Sequence, residues 1–123
     1  MIACSKQDYD ELWFTRQAIG TTLDPHSAFL LARGLKTFDL RSRTMSANAQ
    51  AVAKFLTGHP KISRLSYPGL ASHPGHAVAA RQMRGGFGGM MAFDVGEEQE
   101  DAERFIRNLR LIYHAVSLGA TES

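Results

Sequence analysis

KISRLSYPG, Lys61–Gly69, is where the chain stops reading as helix. Upstream, apolar residues recur every three or four positions. Here Ile62, Leu65 and Tyr67 stand among polar neighbours in a shorter, imperfect alternation, and Pro68-Gly69 supplies a turn. That pattern predicts a short strand. GGMMAFDV (Gly88–Val95) predicts a second, closed by Gly96, and RLIYHAVSL (Arg110–Leu118) a third. A short helix fits over 74–83, starting at Pro74. Another fits over 97–108, where Glu97, Glu98, Glu100 and Asp101 crowd the positive end of the helix dipole. Phe105, Ile106 and Leu109 would supply its buried side. Strand, helix, strand, helix, strand predicts a small antiparallel sheet with helices on one face, an α+β domain.

Working back from Lys61, three helical segments come first. Residues 6–19 place Leu12, Trp13, Ile19 and the stem of Arg16 at helical spacing, with Gly20 as a stop. Asp24 is a good N-cap and Pro25 is pre-shaped for the first helical position. Phe29, Leu30, Ala32 and Arg33 continue that second helix until Gly34 and Thr37 break or bend it. A longer helix runs from Phe38 to about Leu56, with Leu40, Met45, Ala49, Val52, Ala53 and Leu56 as its apolar stripe. Gly58 and Pro60 end it.

The chain has 123 residues, 44% hydrophobic and 21% charged, the balance of an ordinary folded domain. Its net charge of +2 is spread without a basic stripe, which argues against nucleic acid as partner. No apolar run reaches the ~20 residues of a membrane helix, and the first residues lack a signal-peptide pattern. Cys4 is the single cysteine, so no intrachain disulfide forms. The expectation is a cytoplasmic protein without a membrane partner.

Candidate sites compete with plainer readings. RGGFGG (Arg84–Gly89) has the glycines of a phosphate loop. It leads from helix to strand, however, and no Gly-Lys-Ser/Thr follows. It reads better as a tight strand entry where backbones approach closely. His73 and His76 have a metal-like spacing but no carboxylate or cysteine beside them, so surface or capping roles are expected and no metal. His26, His59 and His114 stand apart from them. Cys4 has no base partner. Arg33, Lys36, Arg41 and Arg43 fall on more than one helix face, which suits salt bridges better than anion binding. Ser117, with backbone donors following it, could hold a carboxylate. No catalytic constellation is complete.

LDPHSAFLLARGLKTFDLR (23–41), ANAQAVAKFL (47–56), YPGLASHPGHAVAARQM (67–83), GGFGGMMAFDV (85–95) and AVSLGATES (115–123) occur in this order. Together they closely resemble the C-terminal part of the Cys/Met-metabolism family of pyridoxal-phosphate enzymes. That family includes cystathionine γ-synthase, cystathionine γ- and β-lyases, methionine γ-lyase and O-acylhomoserine sulfhydrylases. The resemblance covers nearly the whole chain.

The resemblance implies the C-terminal domain of a fold-type I pyridoxal-phosphate-dependent transferase. Residues 1–58 would be linking helices out of a large cofactor domain, and 59–123 the small C-terminal α+β domain. It implies pyridoxal 5′-phosphate as cofactor, a small sulfur amino acid as substrate and a homotetramer. The cofactor stabilises a carbanion of the amino acid so that a γ or β substituent can leave. Ser117 and the backbone near Leu118 match the segment at the substrate carboxylate. Val116, just before Ser117, stands where the cystathionine enzymes often carry glutamate. An apolar residue there suits a thioether better than a zwitterion, which slightly favours a methionine γ-lyase-like substrate.

The lysine that carries the cofactor lies upstream in the family, in a Ser-x-x-Lys-type stretch, and a carboxylate-clamping arginine lies downstream. Lys6, Lys36, Lys54 and Lys61 do not match the lysine's context. The chain is therefore expected to be a piece of a longer enzyme, inactive by itself. Leu12, Trp13, Phe14, Ile19 and Phe29 would then lie exposed where the larger part packs. The alternative is a stand-alone interaction or dimerisation domain, which would carry polar residues there.

Overall fold

The computed structural model describes residues 4–112, 114 and 115. The elements run α1 (Tyr9–Ile19), α2 (Pro25–Leu35), α3 (Phe38–Thr57), β1 (Ile62–Ser66), α4 (His76–Gln82), β2 (Ala92–Val95) and α5 (Gln99–Arg107). They group into two compact units, one through Thr37 and one from Phe38 onward.

In the first unit, local chemistry sets the helix ends. Asp10 and Glu11 lie in the first turn of α1, and Gly20 ends the helix in a left-handed conformation at φ 73°. Its N–H reaches the Gln17 carbonyl, and that of Thr21 reaches Arg16. Asp24 caps α2 as expected. Its Oδ1 accepts the backbone N–H groups of His26 and Ser27, each at 3.0 Å, and Pro25 follows in the first helical position. Hydrogen bonds from Ser27, hydroxyl first and then amide, hold the Asp24 carboxyl below its ordinary pKa. Neither helix has a buried residue.

The second unit has a closed core. Strands β1 and β2 pair antiparallel, with Ile62 opposite Val95, Arg64 opposite Asp94, Leu65 opposite Phe93 and Ser66 opposite Ala92. The register slips between Ile62 and Arg64, so Ser63 is the extra residue of a β-bulge. The bulge explains the imperfect alternation. Ile62 and Leu65 are three apart, an odd spacing that a regular strand would send to opposite faces. Both are half-buried because the bulge resets the phase. β2 has no such defect: Phe93 and Val95 are half-buried, Ala92 and Asp94 exposed.

Helix α3 packs on β1 and α5 on β2. The core consists of Ala49, Ala53 and Tyr67, with Leu65, Leu70, Phe87 and Met91 packed against it. On α3 the small residues Ser46, Ala49 and Ala53 are buried. The predicted stripe is corrected in part. Ala49 and Ala53 hold, but Leu40 and Val52 are exposed and Ser46 takes an inward place. Small side chains let the α3 backbone come close enough for the whole Tyr67 ring to fit beneath it. Burying a ring of that size contributes about 3 kcal/mol. On α5, Phe105 meets Phe93 edge to face at 5.7 Å.

The third predicted strand, 110–118, lies partly outside the described residues, and its described part is not strand. Residues 110–112 form bends, and 114–115 have no regular structure. The sheet formed by the described residues has two strands. α4 begins at His76, two residues later than Pro74 suggested.

Candidate functional site

The three residues expected at the substrate carboxylate, Val116, Ser117 and Leu118, lie outside the described residues. The structure does show what carries the chain towards them. Helix α5 ends at Asn108, whose Nδ2 donates to the Arg104 carbonyl at 2.7 Å. The Asn108 and Leu109 amides donate to Phe105 and Ile106. The Phe93–Phe105 contact anchors this helix on β2.

β2 is tied back to α3 through the glycine cluster. The Ser46 hydroxyl accepts the Gly88 N–H at 3.1 Å. The Tyr67 hydroxyl donates to the Gly88 carbonyl at 3.0 Å and lies 3.4 Å from the Ser46 carbonyl, so its one proton is shared unequally. Both backbone polar groups of Gly88 are thereby satisfied by side-chain hydroxyls, in place of a ladder partner. Burial pushes the Tyr67 phenol pKa up. Gly86, at φ 136°, presses on Ser46. A Cβ there would collide with the Ser46 Cβ and stand 2.7 Å from its hydroxyl oxygen. The cluster is a close backbone approach, as its sequence context suggested, and not a phosphate cradle. Sequence reading missed Ser46. Its spacing of three and seven residues from Ala49 and Ala53, on the face that buries small side chains, was its only signal.

Two clefts flank the turn after β2. One, about 560 Å³, is lined by Phe93, Phe105 and Ile106 with Asp94, Glu97 and Glu98 at its rim. The other, about 540 Å³, is bordered by Lys61, Glu97, Asp101 and Arg104.

Three of the five histidines bond to nearby backbone. His73 Nδ1 accepts the Gly75 N–H at 3.0 Å, and His59 Nδ1 accepts that of Lys61 at 3.2 Å. His76 Nδ1 lies 2.8 Å from the Pro68 carbonyl and donates to it, with its ring tilted against Phe87 at 5.5 Å. Of the basic set, Arg43 pairs with Asp39 at 2.9 Å on the exposed side of α3. The Arg41 guanidinium lies 6.0 Å from the centre of the Phe38 ring, and Arg33 and Lys36 line a groove on α2 with Phe29. Cys4 is exposed.

The four lysines are exposed, with Lys6, Lys36 and Lys61 at turns and Lys54 on α3. None of them has a serine three positions before it, the context that the resemblance implies for the cofactor's lysine.

The whole chain, residues 1–123, matches the sequence profile of the Cys/Met metabolism PLP-dependent enzymes. It belongs to that family. Relatives in the family agree from several branches. A cystathionine gamma-lyase of Bacillus subtilis is 44% identical over 123 residues, 100% of this chain and 32% of its own length. An L-methionine gamma-lyase of Fusobacterium nucleatum is 39% identical over 125 residues, 100% of this chain and 31% of its own. A cystathionine gamma-synthase of Mycobacterium bovis is 46% identical over 93% of this chain and 29% of its own length.

The crystal structure of cystathionine gamma synthase from Xanthomonas oryzae, in complex with aminoacrylate and cysteine, superposes with a TM-score of 0.83. It is 42% identical and covers 96% of this chain and 30% of its own. The chain thus spans about a third of the length of these family members. Two cystathionine enzymes exceed the methionine enzyme in identity, so the family comparison does not support the slight preference for methionine drawn from Val116. Among the described residues, no helix is long and apolar enough to cross a membrane.

Proposed function

We propose that this chain is the C-terminal part of a longer cytoplasmic, pyridoxal-phosphate-dependent enzyme that breaks or exchanges a C–S bond in a sulfur amino acid. The reaction class is γ-elimination or γ-replacement. In that enzyme residues 1–58 are the linking helices and 59–123 the small C-terminal domain. Ser117, with the backbone at Leu118 and the Val116 side chain beside it, faces the substrate carboxylate. The intact protein assembles as a homotetramer, and this chain alone is inactive.

The observation that carries the reading is a match over the full chain that spans only about a third of each relative. The apolar side chains left uncovered on α1 and α2 support it. Phe14 and Ile19 are each 69% exposed and Phe29 61%. A domain built to stand alone would carry polar residues there.

Sequencing the natural coding DNA on both sides tests the reading. The frame is expected to continue upstream into a Ser-x-x-Lys stretch and downstream to an arginine. Stop codons bounding the segment would overturn it. In the intact enzyme, Ser117→Ala is expected to raise KM for the amino acid by the worth of one charge-assisted hydrogen bond, about 1.5–3 kcal/mol. An unchanged KM would remove Ser117 from the site.

A further inference from the structure

We draw no further inference here: the strongest candidate, the exposed apolar surface of α1 and α2 around Trp13, Phe14, Phe29 and Leu31, carries nothing beyond the proposed function because nothing in the structure shows what covers it.

Discussion

Up to Thr37 the chain is held by its helix ends: an aspartate cap, a proline in the first turn, a left-handed glycine stop. From Phe38 onward it is held by side chains far apart in sequence, with Ser46, Tyr67 and Gly88 bonded to one another and two alanines closing over the tyrosine ring. The first unit has ordered helices and no buried residue among those described. The second exposes about as many large apolar side chains but also has a core, with no unsatisfied buried side-chain polar atom among the described residues. The difference teaches that good capping shapes a helix without stabilising it much. An isolated helix of about eleven residues is marginal in water, and packing supplies most of its stability.

The comparison breaks most readily at Tyr67. Tyr67→Ala empties the centre of the second unit and is expected to cost about 3–5 kcal/mol. In denaturant melts the cooperative transition should nearly vanish. A change under 1 kcal/mol would show that the second unit is not held by this core.

Next in size is Gly86→Ala. The added methyl must displace Ser46 or the loop, and φ 136° is strained for any side chain. Overpacking and strain each cost about 1–3 kcal/mol. The readout is the same melt, together with faster hydrogen exchange at the Gly88 amide. Unaltered exchange there would contradict the contact between the loop and α3.

Asp24→Ala sharpens the other side of the comparison. It removes a cap and is expected to lower α2 helicity, read by circular dichroism, without moving the cooperative transition. The depressed Asp24 pKa also sets a pH dependence. A carboxyl titrating lower in the folded state stabilises above its unfolded pKa, and that contribution fades as pH falls through the folded one. Helicity of the first unit should therefore drop in acid in the native chain and less so in the variant. Equal acid loss in both would assign the effect elsewhere.

Phe14→Gln is expected to have the smallest effect on stability, within about 0.5 kcal/mol, because the ring is exposed. Its effect should appear in solution behaviour instead, as weaker self-association in sedimentation. Unchanged sedimentation would mean that this face does not drive self-association.

The sequence alone was enough to place the helices of the first unit, although α1 starts at Tyr9 and not at residue 6, and to identify the family of the whole chain. Caps such as Asp24-Pro25 act over three or four residues, so they can be read locally. Five motifs in order identify a family without any coordinates. β2 was legible only in its second half. The pattern predicts a strand over Gly88–Val95, and Ala92–Val95 form it, because Gly88 bonds to Ser46 and Tyr67 instead of a neighbouring strand.

Tertiary structure decided the rest. A period of 3.6 gives the spacing of a helix face but not its phase, which the partner sets. Leu40 and Val52 therefore fit the pattern of α3 yet face solvent, while Ser46 turns inward to meet a glycine loop 42 residues away. The bulge at Ser63 depends on pairing with β2, which no reading of β1 alone contains. Residues 110–112 have strand-like composition but form bends. Ser117 was found by motif and lies outside the described residues, so its role rests on sequence. The Ser46–Tyr67–Gly88 junction is the reverse case, since hydrogen bonds between distant residues exist only once the chain has folded.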